Sequence, residues 1–172
     1  MPPGREARPP RPSRPVRPEV DLAAPDAGRP IVIASWVGTG LLTVTAVAAD
    51  IAPHALGPPA LAVAIAMFFG GTAILAWAYL IAVGRSRTDD VSLPGVFALS
   101  GSAPASVRAR LTISLAVEVV VALATAGVRL YSSLSFGILA LMWGLGLMGL
   151  WGARHGAFPP RPPDPPRRKR GR

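Results

Sequence analysis

This sequence contains no cysteine. Disulfides, thiolate metal sites and cysteine nucleophiles are thereby excluded. Asparagine and glutamine are missing as well, and Lys169 is the only lysine. With heavy use of Ala, Gly, Pro and Arg, those gaps point to a GC-rich, bacterial coding sequence. Histidine is scarce: His54 and His155 are the only two, and two ligands do not make a metal site. Charge is thin overall, at 16% of 172 residues against 51% apolar, where a soluble domain carries about 25% charged residues. It is missing almost entirely from four stretches, 31–49, 60–83, 111–128 and 134–151, in which Glu118 is the single acidic or basic side chain.

Those four stretches define the fold class. A hydrocarbon core of about 30 Å needs roughly 20 helical residues, and each stretch is long enough to cross it. The expectation is an all-α membrane protein, a bundle of four transmembrane helices. Its cytoplasmic loop is 84–110, and its basic Pro-rich tails are 1–30 and 152–172. Of the 18 Lys and Arg residues, only Arg129 falls in the first or third connection. Cytoplasmic loops retain basic residues and short translocated loops are depleted of them, so both termini are expected inside. The first 29 residues are too long and Pro-rich for a signal-peptide n-region, so the 31–49 stretch is expected to remain as a span.

Net charge is +9, but the charge sits in Pro-rich tails beside membrane segments, with no aromatic platform for nucleic acid. Those tails are expected to be disordered, solvated and drawn to anionic lipid headgroups. No nucleic-acid partner is expected. Within the 84–110 connection, the apolar run 91–99 is too short to span and is expected at the interface. Ser102 or Ala103 is expected to cap the third span, with Pro104 at its first position. Trp77, Tyr79 and Trp151 are placed at the inner interface, and Tyr131 and Phe136 at the outer one.

Glu118 lies near the middle of its span, where a carboxylate is costly and is a functional-site hypothesis by default. At 100° per residue, Arg110, Ser114, Glu118, Thr125 and Arg129 fall within about 100° of one another. This polar stripe is expected to face the bundle interior or a partner. At the same depth lie Gly38, Thr39 and Gly40, then Gly70, Gly71 and Thr72, then Gly144. One reading is a tight waist where Glu118 bonds Thr39, Thr43 or Thr72. A second is a hydrated site exchanging a proton or holding a cation, and a third is pairing with another protein's helix. The candidate intramembrane polar site is therefore Glu118, Ser114, Thr125, Thr39 and Thr72. The candidate packing residues are Gly38, Gly70, Gly71, Gly137, Gly144 and Gly149. In the fourth span Gly137, Ala140, Gly144, Gly149, Gly152, Ala153 and Gly156 form a small-residue stripe suited to self-association.

Asp50 is expected to pair with Arg129, and His155 to contact headgroups. Asp89 and Asp90 beside Arg85 and Arg87 read as a solvated turn. No phosphate loop and no nucleophile elbow is present, so no catalytic residue and no cofactor are expected and the protein is read as not an enzyme.

Between about 84 and 161, a little under half the chain, the sequence resembles small uncharacterised multi-pass membrane proteins of actinobacteria. The residues that carry the resemblance are Leu93-Pro94-Gly95-Val96-Phe97, the stretch from Ser102-Ala103-Pro104 to Arg108, and the run from Gly144 to Gly156. It implies a cytoplasmic-membrane protein of a high-GC bacterium and brings no activity, cofactor or site residue. The expected function is that of an interaction or accessory subunit in a cell-envelope membrane complex. The alternative is a small proton- or cation-coupled transporter centred on Glu118.

Overall fold

Long apolar runs without helix breakers fold into helices wherever backbone groups cannot reach water, and the computed structural model of the chain is built from them. It describes residues 22–24, 26–128 and 133–161. The helices are α1 (Arg29–Ile51), α2 (Pro53–Arg85), the short α3 (Leu93–Phe97), α4 (Ala105–Val128) and α5 (Leu141–His155). A 3-10 segment, Ser133–Ala140, leads into α5. Four helices are long and apolar enough to cross a membrane. Among the described residues there is no strand, only an isolated bridge between Asp89 and Pro160.

The expected first connection, 50–59, is almost entirely helical. Only Ala52, at φ −131° and ψ 70°, separates α1 from α2. α2 then runs 33 residues through Pro58 and Pro59, about 50 Å at 1.5 Å per residue. A proline inside a helix removes an amide and crowds the carbonyl four residues back. Those carbonyls belong to His54 and Ala55, both exposed at the helix end, where polar surroundings can satisfy them. The fourth span differs from its expected bounds at both ends. It starts in 3-10 geometry, and its α-helix continues past Trp151 to His155. The tails 1–21 and 162–172 lie outside the described residues, as do Arg129 and Tyr131; the side chain of Phe136 is not described.

α5 is the most enclosed span. It packs on α2 through glycine: a Cβ on Gly71 would overlap the backbone of Met142 and Trp143, and one on Gly146 the carbonyl of Gly71. Such backbone contact supplies the dispersion energy on which helix association in a membrane depends. Three apolar clusters complete the interior. One holds Val32, Leu99, Val107, Leu111, Met148 and Trp151, a second Leu42, Met67 and Ala140, and a third Ala78, Val96 and Ala153.

The 84–110 connection closes the bundle at the end where α1 begins, called here the basal end. Ser92 caps α3, accepting from the Gly95 amide at 3.2 Å. α3 is tucked under α5: Val96 and, just beyond the helix, Leu99 are fully buried, Gly152 abuts the Val96 carbonyl, and Leu93 stays exposed. Ser102 donates its hydroxyl to the Gly95 carbonyl, and Pro104 sits just before α4, its carbonyl accepting from Arg108 at 3.1 Å. Residues 156–161 are clasped to the same connection. The Asp90 amide donates to Pro159 at 2.8 Å, and the Arg161 amide to Thr88 at 2.9 Å. Arg85 pairs with Asp89 at 3.1 Å, donates to the Ala153 carbonyl at 3.0 Å, and lies over the Phe158 ring.

Trp77 and Tyr79 are exposed, as an interfacial aromatic belt requires, but Trp151 is fully buried. Its indole donates to the Ala27 carbonyl at 2.9 Å, beneath Gly28, which takes the left-handed φ of 69° at the N-cap of α1. His155 leans on the Trp151 ring, centroids 5.6 Å apart, instead of reaching outward alone. Trp151→Ala should therefore lower stability by about 3–5 kcal/mol. Trp151→Phe, which loses mainly the indole bond, should lower it by about 1 kcal/mol. Unfolding from mixed micelles measures both.

Candidate functional site around Glu118

Glu118 stands at the centre of the bundle with no solvent exposure. Helical phase brings it there: Leu111, Ser114, Glu118, Ala122 and Thr125 recur every three or four residues and form the buried side of α4. Facing them on α1 are Ser35 and Thr39, one turn apart. Ser35 meets Ser114, and Thr39 meets Glu118. Both pairs advance by four residues, so α1 and α4 run parallel.

The polar atoms form a connected chain. Ser35 Oγ lies 2.8 Å from Ser114 Oγ, which lies 2.7 Å from Thr39 Oγ1. Thr39 Oγ1 is 2.9 Å from Glu118 Oε1 and can instead donate to the Ser35 carbonyl at 3.0 Å. On the other side the Gly144 amide, in the first turn of α5, donates to Glu118 Oε2 at 3.2 Å. Gly144 permits this approach, since a Cβ there would lie 2.6 Å from Oε2. Three spans thus converge on one carboxyl group.

Apolar side chains close the cluster along the bundle axis. Val32, Leu111, Met148 and Trp151 lie on the basal side, and Leu42, Met67 and Ala140 on the other. In such surroundings a polar group left unbonded is expensive, which explains why each oxygen has a partner.

The sequence-derived candidates separate into two groups. Glu118, Ser114 and Thr39 come together. Thr72 does not: it is exposed on α2 and donates to its own Phe68 carbonyl at 2.7 Å. Thr125, two turns beyond Glu118, donates to the Val121 carbonyl at 2.8 Å. It lines a cleft of about 20 Å³ with Thr45, Leu42 and Gly137. Thr43 donates to the Thr39 carbonyl at 2.7 Å. Arg110, placed on the same stripe by helical phase, is exposed at the bundle surface. Ser35 joins the site without having been singled out in the sequence. The signal was its position one turn before Thr39, on the same face of α1.

The glycines surround this site. Gly38 and Gly70 both lie against the Trp143 ring, whose indole donates to the Ala34 carbonyl at 3.1 Å. Gly71 meets the α5 backbone, Gly144 meets Glu118, and Gly149 meets Phe97 and Leu75. Gly137 has no neighbour within 4 Å of an added Cβ. Most of the α5 small-residue stripe is used inside the chain instead of facing outward. Gly144, Gly149, Gly152 and Ala153 are buried against α2, α3 and α4 within one chain. Asp50 ends up near the end of α1 and His54 in the first turn of α2.

Comparison with known protein families, with curated proteins and with solved structures finds no match for this chain.

Proposed function

We propose that the chain is a non-catalytic integral membrane protein acting as an interaction or accessory subunit of a cell-envelope membrane complex. In this reading it lies in the bacterial cytoplasmic membrane with both termini inside and its basic tails against anionic headgroups. It assembles with itself or with a larger membrane protein. The observation that supports this is the closure of the polar cluster. Glu118 is bonded to Thr39 and Gly144 between two apolar layers, so it serves cohesion of the bundle. What the bundle offers outward is helix surface, including Ile65, Phe69, Trp77 and Leu80 on α2.

A proton- or cation-coupled role centred on Glu118 has one observation in its favour. The oxygens of Ser35, Ser114, Thr39 and Glu118 follow one another at 2.7–2.9 Å. Three hydroxyl protons serve those three links in the direction of Glu118, and in the reverse direction a protonated Glu118 carboxyl supplies the link to Thr39, which is what a proton relay needs. The apolar layer of Val32, Leu111 and Trp151 stands between that relay and the basal surface.

Purification from the native membrane in mild detergent, followed by flux measurement in liposomes, separates the readings. The interaction role predicts a stoichiometric partner or a homogeneous homo-oligomer, with no proton or cation flux. Flux that Glu118→Gln abolishes while the protein stays assembled would establish the transport role instead.

A further inference from the structure

Arg110 occupies a position that the polar cluster leaves unused. The register set by Ser35–Ser114 and Thr39–Glu118 places Arg110 level with Ile31, at the basal end of the parallel pair α1 and α4. Beside it an open surface groove is lined by Arg110 of α4 and by Val32, Ile33, Trp36 and Val37 of α1. Every lining residue except Arg110 is apolar, and Ile33, Trp36 and Val37 are exposed on the surface of the bundle. Trp36 lies about 7 Å deeper than Arg110, at 1.5 Å per residue. Among the described residues no carboxylate pairs with Arg110.

A cation near the basal end of an apolar span, beside an apolar trough, matches one ligand chemistry. We propose that this groove binds an anionic phospholipid, its phosphate on the Arg110 guanidinium and an acyl chain along Ile33, Trp36 and Val37. Arginine suits the task because its planar fork can hold two phosphate oxygens at once. The site belongs to the helical bundle and is separate from the basic tails, and it requires no particular reading of Glu118.

The test uses the full chain reconstituted in phosphatidylcholine vesicles. These carry either brominated phosphatidylglycerol or brominated phosphatidylcholine at equal mole fraction. Bromine quenches nearby indoles, and the difference between wild type and Trp36→Phe isolates the Trp36 signal. Phosphatidylglycerol should be preferred at Trp36 by about fivefold, the effect of one arginine at a charged headgroup surface. Arg110→Gln should bring that ratio to about one, and Arg110→Lys, which keeps the charge, should retain most of it. Trp77, exposed on α2, should show no preference. Equal quenching by both lipids at Trp36 in the wild type would mean ordinary annular lipid and overturn the proposal. An unchanged preference in Arg110→Gln, or an equal preference at Trp77, would assign the enrichment to the tails and overturn it too.

Discussion

Gly71→Val is expected to yield no correctly assembled protein. The added Cβ would overlap the carbonyl group of Met142, and the next amide along α5 leaves no room beside it. Backbone atoms cannot rotate aside as a side-chain tip can, so the two helices would have to separate. Separation would take Gly146 off the Gly71 carbonyl and loosen the approach that holds Gly144 on Glu118. Overpacking of a close-packed interior costs about 1–3 kcal/mol where neighbours can adjust. A clash with main chain at the most intimate helix contact should exceed that range. Gly146→Val should behave in the same way, because it meets the same contact from the other side. Gly40→Ala is the control, since a Cβ there finds open space. It should gain up to about 1 kcal/mol through helix propensity. Elution profile in mild detergent and thermal unfolding read all three variants. A Gly71→Val protein as monodisperse and stable as Gly40→Ala would mean that α2 and α5 are not in backbone contact.

Hydrophobic length was enough to place the four spans, because each must satisfy its own backbone within the bilayer. Helical phase was enough to put Ser114 and Glu118 on one face of α4. Depth alone was not enough for Thr72 or Trp151. Both lie at informative heights in their spans, yet each residue turns the helix by about 100°, and height says nothing about that angle. Thr72 faces outward from α2, whereas Trp151, expected at the interface by the aromatic-belt rule, faces inward under Gly28. The features least legible were those made by distant partners. Nothing local to 91–99 announces that Val96 will meet Gly152, and nothing local to 156–161 announces the bonds to Thr88 and Asp90. The continuation of α2 through Pro58 and Pro59 was hidden for a different reason. Proline breaks helices mainly where its lost partner carbonyl is buried, and His54 and Ala55 sit where it is not.

The contrast between Glu118→Gln and Glu118→Leu tests whether bonds or charge give this residue its role. Glutamine has the same shape, and its carbonyl can take the Gly144 amide while its amino group donates to Thr39. The Thr39 proton then turns to the Ser35 carbonyl, already 3.0 Å away. Every group keeps a partner, so Glu118→Gln should change stability by less than about 1 kcal/mol. Leucine offers nothing to the Gly144 amide or the Thr39 hydroxyl, both enclosed by apolar layers. Thr39 can still turn to the Ser35 carbonyl, so the Gly144 amide alone is stranded, and Glu118→Leu should cost about 1–3 kcal/mol. Thr39→Val combined with Glu118→Leu adds a sharper measurement. If the two side chains act through their mutual bond, the double variant should fall short of the summed losses. The shortfall should be about 0.6–1.7 kcal/mol, the span of measured hydrogen bonds between membrane helices. Reversible unfolding from mixed micelles supplies all four stabilities of that cycle. Strictly additive losses would mean that Thr39 and Glu118 do not share a bond. A Glu118→Gln variant as unstable as Glu118→Leu would mean that the bundle depends on the carboxyl group itself. The proton-handling reading would then gain over the one in which Glu118 ties α1, α4 and α5 together.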